Sequence, residues 1–260
     1  MDKEENEMKT ISLINLKGGV GKTMLATNLA YLLAESWELR TLVIDNDKQG
    51  NASRWLGADE TKGTLSNILM DGVGARGVIQ SSHHPRLDFI AADMGLIEAN
   101  YEVIKRESVR QDIILKQALE EVAHDYDICI VDNPPDINMS VFNVLALTDD
   151  VVIVTVLEAD SIDGIRKMVA QIEDVRKFNP KLSIKGVLAN QYIPYPMTHT
   201  FYQEVKKEGL PFFRTKISYA TKSAKYHMVT ASKTGRSIFE VSPLCRVARD
   251  IMRFAEELFH

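Results

Sequence analysis

Apolar positions in this chain fall into two alternating patterns. Near-continuous apolar runs occupy residues 10–15, 40–45, 126–132, 151–157 and 184–190, and less regular ones occupy 87–91 and 211–217. Runs this dense predict strands buried on both faces, as in a parallel sheet covered by helices. Between them the apolar residues take helical spacing, over 24–34, 64–70, parts of 94–106 and 110–124, a stretch ending near Phe178, and 244–259. In the last of these, Val247, Ile251, Phe254 and Leu258 fall on one helix face. Residues 57–82 are broken by Gly57, Gly63, Gly72, Gly74 and Gly77, which predicts loops around one short helix. Alternation of strand and helix predicts an α/β fold: a doubly wound, mostly parallel sheet with helices on both faces.

Composition narrows this little. A chain of 260 residues with 45% hydrophobic and 26% charged content can form one large domain with a sizeable core. We expect a single domain over 1–260, with the polar residues 1–8 as a disordered tail rather than a signal peptide. No apolar run reaches the length needed to span a bilayer. Cys129 and Cys245 lack metal-ligand spacing, and Cys129 lies within an apolar run, so a reducing cytoplasm is the default expectation. Charge changes the picture more. The net charge is −5, yet residues 181–260 hold 13 basic and 6 acidic residues. Between Gly209 and Phe239, Arg214, Lys216, Lys222, Lys225, Lys233 and Arg236 occur with no acid among them. This asymmetry fits either a polyanion-binding surface or an ordinary solvated face.

The chemistry sits where strands end. Lys17-Gly18-Gly19-Val20-Gly21-Lys22-Thr23 separates the first strand from a helix beginning near Met24. Strand, glycine loop and helix form the context of a phosphate-binding loop. Glycines let backbone amides approach phosphate oxygens, and the helix N-terminus adds positive potential. Lys22 would reach the terminal phosphates, and the Thr23 hydroxyl would face Mg²⁺. The second strand ends at Asp45 and continues Asn46-Asp47-Lys48-Gln49-Gly50-Asn51. Both aspartates can point toward the phosphates, and Asn51 or Ser53 could cap the next helix. A third strand ends at Asp132, followed by Asn133-Pro134-Pro135, a Walker B pattern whose carboxylate holds magnesium.

The loop has Leu16 where the usual glycine stands, and Lys17 follows. In this the chain resembles the ParA/MinD family of deviant Walker A ATPases, which are P-loop NTPases. Of these it looks closest to short ParA-type, Soj-like partition proteins. The resemblance runs from about Lys9 to the end and is tightest at 14–28, 43–53 and 127–135. Lys48 replaces the family's usual proline, and Asn133 its usual threonine.

The resemblance implies a Mg²⁺-dependent ATPase, slow without its partner. Gly18 to Met24 would bind ATP, with Lys17 acting across a homodimer formed on ATP binding. Thr23, Asp45 and Asp132 would serve the metal, and Asp47 the attacking water. Asn190 would read the adenine edge, although a plain strand-end turn fits it equally. The basic residues 214–236 would bind DNA non-specifically in the ATP state, at the nucleoid. A ParB-like cargo adaptor would stimulate hydrolysis and so release the DNA, segregating a plasmid, chromosome or other mobile DNA. The loop begins too early for the N-terminal helix-turn-helix of longer members.

A MinD-like membrane-positioning ATPase is the alternative, with 244–259 as an anchor, although Asp250, Glu256 and Glu257 weaken it and stable membrane association is not expected. Nitrogenase-type redox chemistry lacks its cluster cysteines, and no substrate loop of a small-molecule ligase is identifiable. A nucleotide switch that does not hydrolyse ATP also remains conceivable.

Overall fold

The computed structural model describes residues 8–106, 110–159 and 161–260. Residues 1–7 of the expected tail lie outside the described residues, and Met8 is buried in the core. Among the described residues, eight strands form one sheet: β1 (Lys9–Ile14), β2 (Thr41–Asp45), β3 (Ile79–Ser81), β4 (Leu87–Ile90), β5 (Ile128–Asp132), β6 (Asp150–Thr155), β7 (Ser183–Tyr192) and β8 (Phe212–Ser218). Their order is β3-β4-β2-β5-β1-β6-β7-β8, and every neighbouring pair is parallel except β3 with β4. The helices are α1 (Lys22–Ser36), α2 (Asn51–Leu56), α3 (Leu65–Asp71), α4 (Leu96–Lys105), α5 (Ile114–Glu120), α6 (Met139–Leu147), α7 (Ser161–Arg176), α8 (Pro196–Lys207), α9 (Lys222–Lys233), α10 (Ile238–Val241) and α11 (Arg246–Phe259).

Residue alternation along each strand divides the core into two layers. Leu13, Val43, Ile130 and Val152 face α1 and α11. Their chain neighbours Leu42, Ile44, Cys129 and Val131 face α3, α4 and α5. Val151, Ile153 and Val187 meet α6 and α7. Central strands therefore need apolar residues at every position, which is why they read as unbroken runs. β1 lies between β5 and β6, so winding reverses direction there. The crevice outside its C-terminal end is where open α/β sheets bind ligands.

α11 packs its apolar face onto the sheet: Val247, Ile251, Phe254 and Leu258 are all buried. Its acids protect the edge strand. Asp250 accepts a hydrogen bond from the Ser218 amide at 3.0 Å, and Glu257 accepts from the Arg214 and Thr215 amides at 2.6 and 2.9 Å. An exposed edge with free amides would otherwise be open to pairing.

Two local expectations differ from the structure. The residue capping α2 is Gly50, at φ 60°, rather than Asn51 or Ser53, because Ser53 turns inward to bind Asp45. The sheet also carries a short antiparallel edge strand, β3, within the glycine-rich stretch. The apolar pattern is silent on α8 and α9, which bury only Val205 and only Ala224 and Ala231 respectively.

Candidate nucleotide site

The glycine loop is held from below by two strands. At the end of β1, Asn15 donates from Nδ2 to the Val154 carbonyl at 2.6 Å and accepts from the Lys17 amide at 2.8 Å. At the end of β7, Asn190 donates to the Val20 carbonyl at 2.7 Å, and Gln191 donates to the Gly19 carbonyl at 2.7 Å. Gly21 has φ 90°, and a Cβ there would lie 2.3 Å from Asn190 Nδ2. Only glycine satisfies both the backbone and the contact. Asn190 is 1% exposed and lies beneath the loop, where its amide supports Val20.

The loop walls a cleft of about 420 Å³, whose other walls include Asp47, Asn51, Arg54, Trp55, Asn133 and Ser232. α1 starts at Lys22, so the loop amides and the helix N-terminus face the same space. Lys22 is buried and its ammonium donates to the Asn15 carbonyl at 3.1 Å. Burial pulls its pKa down, against the attraction of Asp132, Asp47 and Asp136.

Asp45 and Asp132 occupy the same register position on the neighbouring strands β2 and β5. Asp45 Oδ2 accepts from both the amide and the hydroxyl of Ser53, at 2.8 and 2.7 Å. Asp132 is 1% exposed, and neither of its carboxylate oxygens has a formed hydrogen bond. The Thr23 hydroxyl is near enough to favour its charged form, but burial and the Asp45 charge raise its pKa well above the usual carboxylate range. An orphaned buried carboxylate is costly unless a cation completes it. Two carboxylates and a hydroxyl form a hard-oxygen donor set that fits Mg²⁺.

Asp47 is half-buried on the cleft wall, and its Oδ1 accepts from the Gln49 amide at 2.9 Å. Lys17 lies at the rim, with its ammonium 2.5 Å from Glu158 Oε2. Asn46 and Asn133 join the loops after β2 and β5 through a 3.0 Å side-chain bond, and Asn133 also donates to the Leu13 carbonyl. The residue at the family's threonine position thus links three strand ends. Lys48, at the usual proline position, faces Asp136 at 4.0 Å.

The basic residues divide into two groups. Lys222, Lys225 and Lys233 lie on α9, with Arg236 just beyond it; Arg214 and Lys216 lie on β8. Lys216 sits over the rings of Tyr192 and Tyr202, at 4.7 and 4.2 Å, and Lys225 lies over Tyr219 at 4.2 Å. α2 connects this region to the cleft, since Trp55 Nε1 donates to the Arg236 carbonyl at 2.8 Å. Arg54, Trp55 and Ser232 are cleft residues that motif reading misses. The signal for Arg54 and Trp55 is that α2 directly follows the Asp47 loop, whereas Ser232, on α9, has none in the sequence.

Comparison with known proteins shows the family and the fold. A family model described as an AAA domain matches residues 8–184. The sporulation initiation inhibitor protein Soj of Bacillus subtilis (strain 168) is 31% identical over 96% of this chain and 98% of its own length. The chromosome partitioning protein ParA of Caulobacter vibrioides is 29% identical over 97% of this chain and 94% of its own. The structure of apo McdA from Cyanothece superposes with a TM-score of 0.84 at 22% identity, covering 97% of this chain and 100% of that one.

Proposed function

Because the chain belongs to the ParA/MinD family of P-loop ATPases, with Soj-type partition proteins among its relatives, we propose that it is a ParA-type partition ATPase. One observation carries the reading: a buried, orphaned Asp132 beside Thr23 and Asp45, under a loop shaped for phosphate. Amides of Gly18 to Thr23 cradle the phosphates of ATP, and Met24 extends the wall of the cleft. Lys22 leaves the Asn15 carbonyl to meet the terminal phosphates. Thr23, Asp45 and Asp132 would hold Mg²⁺. The metal, when bound, neutralises charge between the outer phosphates. Asp47 orients the attacking water from the half-buried wall. Catalysis then rests on positioning and electrostatics, with no covalent step on the protein.

In the same reading, ATP closes two copies into a dimer in which Lys17 leaves Glu158 for the partner's nucleotide. The dimer binds duplex DNA through α9 and Arg236, largely without sequence readout, because phosphate contacts dominate. Trp55 carries the state of the cleft to that face. Lys216, placed against two tyrosine rings, contributes less than Lys222 and Lys233. A ParB-like adaptor on the cargo stimulates hydrolysis, which releases the DNA. The chain would act as one domain, in the cytoplasm on the nucleoid. A MinD-like membrane role is disfavoured because α11 commits its apolar face to the core.

The test is binding to an arbitrary duplex with ATP, with ADP and with no nucleotide, at two salt concentrations. The expected outcome is tight binding with ATP only, weakening as salt rises. Equal binding in all three states would sink the reading, and binding to liposomes instead would favour the membrane role.

A further inference from the structure

A second surface lies on the opposite side of the Asp47 loop from α9. On α4 and the turn before it, Met94, Ile97, Tyr101 and Ile104 are each more than half exposed, at 57, 53, 61 and 58%. Their spacing is helical, so they form one outward stripe, while Leu96, Ala99 and Val103 pack inward. Scattered exposed apolar residues need no explanation, but three large ones aligned on one helix, with a fourth in the turn before it, do.

Two grooves flank the start of the stripe. One, of about 510 Å³, includes Met94 and runs under the Asp47 loop. The other, of about 190 Å³, includes Ile97 and reaches the turn after β5. Among the charged residues lining them, Asp59, Glu60, Asp93 and Asp136 are acidic, and Lys48 and Arg54 basic. Lys48 already faces Asp136. α4 adds Glu98 and Glu102, with Lys105 bound to Glu102 at 2.7 Å. The stripe therefore lies in a field with a negative excess. Its complement is an apolar stripe on a cationic background.

The start of α4 is also tied to the nucleotide site. Ser53 donates to Asp45 Oδ2 and accepts from the Ala92 amide at 2.8 Å, two residues before Met94. A Cβ on Gly50 would lie 3.0 Å from the Ala92 carbonyl, so the Asp47 loop rests on the same backbone. Ser53 thus joins Asp45 to the turn carrying Met94 through two hydrogen bonds.

We propose that Met94, Ile97, Tyr101 and Ile104, with the acidic grooves beside them, dock a cationic amphipathic helix of a partner protein, and that Ser53 makes this docking depend on the bound nucleotide. This deepens the partition reading, on which only its nucleotide dependence rests.

The test uses the full chain and a labelled 18-residue peptide with leucines at helical spacing on a lysine background, read by fluorescence anisotropy. A second peptide keeps the leucines and replaces lysine by glutamate. The lysine peptide is expected to bind at least tenfold more tightly than the glutamate peptide. The double variant Ile97→Ser, Tyr101→Ser, altered only at exposed positions, is expected to lose at least tenfold in peptide affinity while keeping ATP-dependent DNA binding. Ser53→Ala is expected to bring the ratio of peptide affinities with ATP and ADP toward one. Equal peptide binding by wild type and double variant overturns the surface, and intact DNA binding in that case leaves the partition reading standing. Self-association lost in the double variant, with peptide binding unchanged, assigns the stripe to a second copy and overturns the proposal. Peptide binding that depends on the stripe but not on nucleotide overturns the Ser53 coupling alone. Loss of ATP-dependent DNA binding in wild type removes the partition reading and leaves the surface to stand on the peptide result.

Discussion

At the scale of single residues, the site works because a few side chains have no freedom. Gly21→Ala would force both a positive φ and a clash with Asn190, so ATP affinity is expected to fall at least tenfold. Pairing it with Asn190→Ala removes the clash but not the backbone strain, and recovery should be partial, as read by titration with a fluorescent ATP analogue. Asp132→Asn keeps the shape and removes the negative charge. Mg²⁺-dependent turnover should fall about a hundredfold or more, while the nucleotide-free protein keeps its fold or gains stability in thermal melts. The glycine loop, Asp45, Asp47 and Asp132 were legible because each motif closes an apolar run. Asn190 was legible as a strand end but not as the prop beneath Val20. That contact joins residues 170 positions apart, and no local pattern encodes it.

Elements convert these residues into a machine with two ends. α2 has only six residues, yet it touches both the Asp47 loop and the loop after α9. Arg54 grips the Gln49 carbonyl at 2.6 Å, and Trp55 holds Arg236. Trp55→Phe keeps the ring and loses the donor. It is expected to reduce the ratio of DNA affinities with ATP and ADP at least threefold, with ATP affinity within twofold of wild type, in the same duplex-binding assay. α11 has a structural part. Glu257→Ala would leave two β8 amides without their acceptor, and a loss of about 1–2 kcal/mol is expected in urea unfolding, since bonds to a charged group are the stronger kind. Sequence pattern found α11 because four large apolar residues mark its face. It missed α8 and α9 because polar helices resting on one or two buried residues leave almost no periodic signal.

For the whole molecule, the decisive property is the uneven spread of charge. The chain carries net −5 and still presents six basic residues between positions 214 and 236 with no acid among them. Binding to duplex should therefore weaken steeply with salt despite the overall negative charge. Replacing Lys222 by Ala should lower the slope of log affinity against log salt by about 1 if that lysine meets a phosphate. Lys216→Ala should change it less, because two tyrosine rings hold its ammonium. Both slopes come from one titration series. Sheet order was only partly legible: alternating runs imply a parallel sheet, but they do not say that β1 lies between β5 and β6. That is decided by which faces the connecting helices can cover.

The position of β1 also sets a timetable. Its hydrogen-bonded neighbours begin at Ile128 and Asp150, and the prop under its loop is Asn190. On the ribosome, the first motif to be synthesised is thus among the last to be finished. A nascent chain that has emerged only through residue 180 carries every residue proposed to meet phosphate and yet lacks the Asn190 and Gln191 supports beneath the loop. Such contacts, distant in sequence, make folding slow and expose the early apolar runs while they wait. Nucleotide capture should therefore begin only after β7 has docked, so that an unfinished chain cannot take up ATP.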